Sequence, residues 1–469
     1  MAQSTHPPAG LEWLVAGGET WVPVLGGRAR YINLDNAAST PPLQVVVEAV
    51  RRFEAWYASV HRGTGFKSRL ASELYDQAHG LVAGLVGADP TTSVVIFVRN
   101  TTEALNRLAR RIPFRPGDVV LSTEMEHHSN DLPWRRQATV DYVKTDERGA
   151  LLLGDLEEKL HRYGGRVKLV TVTGASNVTG FLNPIHQIAA LAHRFGSRIC
   201  VDAAQLAPHR RIEARPDGHP EHLDCIALSG HKLYAPYGAS ALIGPRDLFL
   251  EGEPDLVGGG TVDIVTHREV WWTGLPDKEE AGSPNVIGAV ALGRAIIALE
   301  AMGWDRLAAH EAELTAYLLE QLPAIPGVEI YGDGDPSRAS ERVGVVSFNL
   351  SGVPHSLVAA ILAYEGGIGV RNGCFCAHPY MMKLLGADER GILQHQGEIR
   401  RGNKSRVPGM VRASFGLYNT REDVDALVGW LRRIAAGSYQ GRYCIDPVRG
   451  DYEPEGWNPQ AVASSFSWT

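Results

Sequence analysis

The sequence predicts an α/β protein with a large domain on a mainly parallel sheet, followed by a smaller α+β domain. Two patterns predict it. From about residue 40 to 305, short apolar runs rich in Val and Ile alternate with helical stretches, as in βαβ units covered on both faces. After a helix around 286–302 that rhythm gives way to mixed helices and strands. The stretch 41–57, PPLQVVVEAVRRFEAWY, has prolines in its first turn and apolar positions at helical spacing, with Ser39 and Thr40 as candidate N-caps. Strands follow at 92–98, 118–123, 167–174, 198–202, 223–230 and 240–244, separated by helices such as 184–196. The second part reads as helix 304–322, strand 344–350, helix 356–367, strand 410–416 and helix 421–434. The expected division is a segment 1–40 packing with the small domain, a large domain 41–305, a small domain 306–436 and an extended tail 437–469.

Composition narrows the function. The 469 residues are 44% hydrophobic and 21% charged, enough for one large core or two smaller ones. The net charge of −7 is spread without basic runs, which argues against nucleic acid and favours a small-molecule partner. The opening MAQSTHPPAG lacks a charged region leading into an apolar one, and no run of 18 apolar residues occurs. A cytoplasmic location without membrane attachment is expected. Five cysteines, odd in number and scattered, do not make a disulfide framework.

In open α/β sheets ligands bind beyond the carboxyl ends of the strands. Strand 198–202 ends at Asp202 with Gln205 following, strand 223–230 runs into His231 and Lys232, and strand 167–174 into Ser176 and Asn177. A lysine at one strand end and a carboxylate at another form the pair pyridoxal phosphate requires: an amine for a Schiff base and an anion that keeps the pyridine nitrogen protonated. Alone, Asp202 reads as a helix cap and Lys232 as a solvated lysine. Ser229 and His231 flank the lysine in a Gly-containing turn, and Thr101 and Thr102 open a helix after a strand, where hydroxyls and first-turn amides can hold a phosphate.

The stretches YINLDNAAS, VHRGTG, NTTEALN, EMEHHSN, SNVTGFLNPI, VDAAQ, SGHKLYAPYG, GGGT, EAGSPN, VRNGCFCAHP and VRASFGLYNT follow in family order over roughly residues 30–436. With them the chain resembles the class V aminotransferase superfamily of fold-type I pyridoxal-phosphate enzymes, and within it the Suf-type cysteine desulfurases and selenocysteine lyases. The resemblance implies a seven-stranded-type sheet and pyridoxal 5'-phosphate as cofactor. It implies Lys232 as the Schiff-base lysine, Asp202 on the pyridine nitrogen, Gln205 on the phenolic oxygen and His127 stacked on the ring. Thr101, Thr102, Ser229 and His231 would hold the phosphate, with GGGT (258–261) and Ser283 reaching it from a second subunit of a homodimer that shares its active sites. Asn177 and Arg412 would bind the substrate carboxylate, Arg412 by its planar guanidinium; a cross-domain salt bridge is the plainer reading of that arginine.

Residues 371–380, RNGCFCAHPY, carry Cys374 and Cys376 beside His378. A disulfide one residue apart is strained. Cys-x-Cys-x-His offers zinc three ligands, with Cys444 as a conceivable fourth, but no second Cys/His pair stands out, and no metal is expected. Two inert buried cysteines are the commonest reading of such a pair. In the resembling family the catalytic cysteine stands five residues after the arginine of a VRxGxxC pattern; here that is Cys376, counted from Arg371. The implied reaction is removal of sulfur from L-cysteine, leaving alanine and a persulfide on Cys376 for a sulfur-acceptor protein. The GCFC form also resembles the molybdenum-cofactor sulfurases, and Cys374 is expected to pack or to relay the persulfide. The connection 381–409 is longer than the family's and reads as a lid, interface or binding loop. The competing readings are another class V reaction (C–S lyase, aminotransferase or epimerase) and a non-catalytic scaffold or sulfur-carrier partner.

Overall fold

The computed structural model describes residues 14–387 and 389–458. Its centre is a seven-stranded sheet in the order Ser93–Val98, Ser240–Pro245, Cys225–Ser229, Arg198–Asp202, Val167–Thr173, Val119–Thr123 and Thr139–Val143. Only Ser240–Pro245 runs antiparallel to its neighbours. The inner strands are buried on both faces, which is why they read as continuous Val/Ile runs rather than as alternating ones, while the edge strand Thr139–Val143 is only partly buried. One apolar cluster joins Leu121, Val170 and Ile226 of the sheet to the helices Gln44–Glu54 and Val286–Met302 through Val46 and Leu292. Another lies on the opposite face, around Leu105, Leu108, Trp134 and Phe249.

A second sheet is antiparallel, in the order Val328–Tyr331, Val345–Leu350, Met410–Ser414 and Arg371–Gly373. Phe348 and Val411 of that sheet pack with Leu318, Ile361 and Leu427 of the helices Trp304–Gln321, His355–Gly366 and Arg421–Ala435. Ile32 and Leu34 join the same cluster, because Ile32–Asn33 pairs in parallel with Ile368–Gly369.

Ser39 and Thr40 do not cap the first long helix, which begins at Gln44 with Leu43 at its N-cap and no side-chain cap. Pro41 and Pro42 hold the residues before them extended and so delay the helix. Both hydroxyls instead donate to the His231 carbonyl, each at 3.2 Å. The tail is not simply extended: Tyr443–Ile445 and Tyr452–Pro454 form a hairpin, anchored where the Glu365 carboxylate accepts from Gln440 N, Gly441 N and the Tyr443 hydroxyl. Residues 459–469 of the tail, and residues 1–13 of the N-terminal segment, lie outside the described residues. The long connection folds into the helices His378–Leu384 and Glu389–Arg400, and Lys404 N donates to Pro447 O of the tail at 2.7 Å. Among the described residues no single helix is long and apolar enough to cross a membrane.

Candidate active site

The loops after the parallel strands converge at one edge of the large sheet and enclose a cavity of about 280 Å³. Thr101, Thr102, His127, Asn177, Asp202, Gln205, Ser229, His231, Lys232, Cys376 and Arg412 all line it. Ser283 does not; it is exposed and outside the cavity, and the hydroxyl of Thr261 in GGGT is spent on Gly258 O at 2.8 Å.

The lysine turn follows from its strand. Gly230 must be glycine, because a Cβ there would lie 2.1 Å from the Ala239 carbonyl oxygen. The chain can then turn sharply, with Lys232 N donating to Ser229 O at 3.2 Å. Lys232 Nζ donates to Gln205 Oε1 at 3.4 Å, and burial lowers its pKa to about 8, the Asp202 carboxylate opposing the shift. Asp202 is 4% exposed; burial raises its pKa against the Ala204 N–H, which it accepts at 3.0 Å, and the nearby Lys232. His127 Nδ1 accepts from Ser129 N at 3.1 Å, which leaves Nε2 to carry the proton of the neutral ring. Burial first, then Lys232, pushes the His127 pKa down to about 4, and His231 falls to about 4 for the same two reasons. Both imidazoles are therefore neutral at pH 7.

At the start of helix Thr101–Arg111, Asn100 supplies the cap by accepting from Glu103 N at 2.9 Å. Thr101 Oγ1 meets Ser229 Oγ at 2.7 Å and Thr102 Oγ1 meets Ser129 Oγ at 2.7 Å. Hydroxyls from three different loops thus gather at one helix N-terminus, which suits a phosphate. With a buried amine and a buried carboxylate on the same wall, this donor set fits pyridoxal phosphate.

Arg412 sits opposite Arg371 in the antiparallel register of the small sheet, a pairing of like charges that needs an anion. Asp35 supplies it: Oδ1 accepts from Arg412 Nη2 at 3.0 Å, and Oδ2 lies 3.8 Å from Arg371 Nη1. Arg412 Nη1 donates to Asn177 O at 2.9 Å, while its buried Nε has no hydrogen-bond partner. The Phe375 ring covers the guanidinium, 4.8 Å from Cζ to centroid.

Cys376 is exposed, and all five cysteines are free thiols. Phe375 and Cys376 both have positive φ, 52° and 56°, and Ala377 N donates to Cys374 O at 3.0 Å, so the loop is a turn of the type I′ kind built without glycine. Each such residue costs about 1–3 kcal/mol and persists only under constraint. The constraints are visible: His128 N donates to Cys376 O at 2.7 Å, Asn177 Nδ2 donates to Phe375 O at 2.7 Å, and His378 stacks on His128 with centroids 5.0 Å apart. Beyond the turn, Lys383 Nζ is held by Glu124 Oε2 and Thr145 O, both at 2.6 Å. Cys444 is elsewhere, on the tail hairpin beside Glu455, and among the described residues no group of three or more His, Cys, Asp or Glu could hold a metal ion.

Sequence reasoning left several residues of this site without a role. Asp35 and Phe375 lie inside quoted motifs, but nothing in the motifs says that they flank Arg412. Glu126 is buried beneath the loop, accepting from Thr123 Oγ1, Asn130 Nδ2 and Thr173 N, with its pKa raised by burial to about 8. An acidic residue between Met125 and His127 was the available signal.

The lysine carries a pH signature. Its folded pKa lies below the ordinary 10.5, so between about 8 and 10.5 the unfolded chain holds a proton that the folded chain lacks. Through this group the stability of the cofactor-free protein rises with pH across that window. Lys232→Met is expected to flatten that component in denaturant unfolding compared at about pH 8 and about pH 10; identical pH dependence in the two proteins would contradict it.

The aminotransferase class-V family matches residues 32–427. A probable cysteine desulfurase from Halalkalibacterium halodurans is 36% identical over 412 residues, 86% of this chain and 92% of that protein. A cysteine desulfurase from Haloferax volcanii is 36% identical over 85% of this chain and 88% of its own length. Among solved structures, the apo cysteine desulfurase from Thermococcus onnurineus NA1 superposes with a TM-score of 0.79 at 31% identity, covering 93% of this chain and all of that one. A cysteine desulfurase from Escherichia coli gives 0.73 at 30% identity over 87% and 96% of the two chains. Motifs, sheet order and cavity thus meet in one conclusion: this chain belongs to the class-V aminotransferase family of pyridoxal-phosphate enzymes.

Proposed function

We propose that the protein is a cysteine desulfurase that takes sulfur from L-cysteine, leaving alanine and a persulfide on Cys376. The observation that carries this reading is the meeting of Lys232, Arg412 and an exposed Cys376 in one cavity. The names of its relatives support it.

Lys232 would hold the cofactor covalently, Asp202 its pyridine nitrogen, Gln205 its phenolic oxygen, His127 its ring face, and Thr101, Thr102, Ser229 and His231 its phosphate. When bound, the cofactor supplies an electron sink for the pair released at the substrate's Cα. Arg412 orients the substrate through its carboxylate, joined by Asn177, and a carboxylate arriving there competes with Asp35 for Nη2. Lys232 Nζ, with a pKa of about 8, takes the Cα proton as the free amine. The Cys376 thiolate attacks the substrate sulfur; an S–S bond forms, the C–S bond breaks, and its electron pair stays with carbon, which is protonated to alanine. Cysteine and enzyme thiol thus give alanine and enzyme persulfide, with no outside oxidant. The persulfide on an exposed turn is open to an acceptor protein.

The working unit in this reading is a homodimer in the cytoplasm. GGGT and Ser283, which stand clear of the cavity within one chain, would reach the phosphate in the other subunit. The test is to incubate the holoenzyme with L-cysteine and reductant and to measure alanine and sulfide. Cys376→Ala is expected to lose both by at least about a hundredfold, with its cofactor spectrum retained. Pyruvate as product, or turnover unchanged in Cys376→Ala, would instead favour a C–S lyase.

A further inference from the structure

Gln205 is 3% exposed and has a partner at each end of its amide. Its Oε1 lies 3.4 Å from Lys232 Nζ and its Nε2 lies 3.2 Å from His209 Nε2. The other ring nitrogen, His209 Nδ1, lies 2.5 Å from Glu311 Oε1, and Glu311 Oε2 accepts from Arg210 Nη1 at 2.7 Å. Glu311 belongs to helix Trp304–Gln321, remote in sequence from the strand-end loop that carries Gln205 and His209. A continuous polar chain therefore runs from the cavity wall to a buried carboxylate. Other titratable groups that feel that carboxylate are the Arg342 guanidinium, the His310 imidazole and the Tyr234 phenol.

We propose that Glu311 and His209 act as a positioning relay that selects which end of the Gln205 amide faces the cofactor. An amide's oxygen and nitrogen ends are alike in shape, so its partners decide the orientation. The Glu311 carboxylate lies against Nδ1 as an ion-pair contact rather than an aligned hydrogen bond; its charge draws a proton to that nitrogen, and Nε2 is left to vary. When Nε2 is unprotonated it accepts from the Gln205 amide nitrogen, and Gln205 turns its oxygen to the cavity. That suits a free Lys232 amine, which donates. When Nε2 takes up a proton it donates to the Gln205 oxygen instead, and the amide nitrogen faces the cavity. That suits an anionic phenolic oxygen, which accepts. The relay needs an ionised carboxylate against the ring. Glu311 is suited to this, because its pKa is lowered overall: burial raises it, and His209 and Arg210 outweigh that effect.

The inference rests on the reading of Gln205 as the partner of the phenolic oxygen, and the test separates the two. The visible band of the bound cofactor is titrated against pH in the holoenzyme without substrate. Loss of a donor makes the phenolic oxygen more basic, so Glu311→Gln is expected to raise the titration midpoint by about one pH unit, tenfold in proton affinity. His209→Gln is expected to do the same and carries the test should Glu311→Gln fail to fold. Gln205→Leu is expected to raise the midpoint at least as far, and adding Glu311→Gln to it should move it no further. A shift in Gln205→Leu with none in Glu311→Gln or His209→Gln overturns the relay and leaves the Gln205 reading standing. No shift in Gln205→Leu overturns both. An undiminished effect of Glu311→Gln in the Gln205→Leu background also overturns the relay, since the influence would then bypass the amide.

Discussion

Lys232→Ala is expected to lower turnover of L-cysteine by at least about 10,000-fold, because one amine performs two tasks. In the proposed reaction it anchors the cofactor, and it takes the proton from the substrate's Cα. The second task depends on the amine being free near neutral pH, which an ordinary lysine is not. Burial against the cavity wall, only partly offset by Asp202, brings the pKa to about 8, within reach of the working range. Arginine at this position supplies a fixed charge and no base, so Lys232→Arg is expected to be as inactive as alanine. Alanine release followed in a single turnover, with and without a small primary amine in the buffer, checks the assignment. Partial recovery by the amine is expected in Lys232→Ala; residual activity within a hundredfold of wild type would remove Lys232 from the centre of the reaction.

Asp202→Asn is expected to separate activity from stability. Asparagine keeps the shape and still accepts the Ala204 N–H, so the strand end is preserved. It cannot keep a pyridine nitrogen protonated, and the expected fall in turnover is about 1,000-fold, the scale of losing a buried charge that faces developing charge. In the cofactor-free protein the effect is expected to have the opposite sign. Asp202 is buried and its pKa is raised by that burial, so its ionised form is a cost to the empty fold that asparagine removes. Urea unfolding of the cofactor-free variant should therefore show stability equal to or above wild type. A variant both inactive and clearly less stable would mark Asp202 as a structural residue.

The α/β class and six of the seven strands of the large sheet were legible because burial on both faces leaves a clear trace: VVIFV, VVLST and RICVD read as strands and are strands, whereas the partly exposed edge strand Thr139–Val143 left no such run. Lys232, Asp202 and His127 were legible because they follow such strands within motifs. Less could be read where partners come from distant chain segments. Ser39 and Thr40 look like helix caps in sequence, yet the Lys232 turn claims their hydroxyls through the His231 carbonyl. Asp35 has no local feature that marks it as the anion between Arg371 and Arg412. The left-handed turn at Phe375 and Cys376 was hidden because neither residue is one that such a turn ordinarily selects. The hairpin of the tail, with short strands and many turn residues, had too little period to announce itself.

The bond from Asp35 to Arg412 spans 377 positions. Ile32–Asn33, likewise, pairs with a strand at Ile368–Gly369. During synthesis the emerging N-terminal strand therefore has no partner until most of the chain has left the ribosome, whereas the large sheet can assemble earlier. The pocket is then among the last parts of the molecule to be completed. A chain halted before residue 410 would contain the lysine, the aspartate and the cysteine, all in order, and still lack the arginine and the strand that carries it.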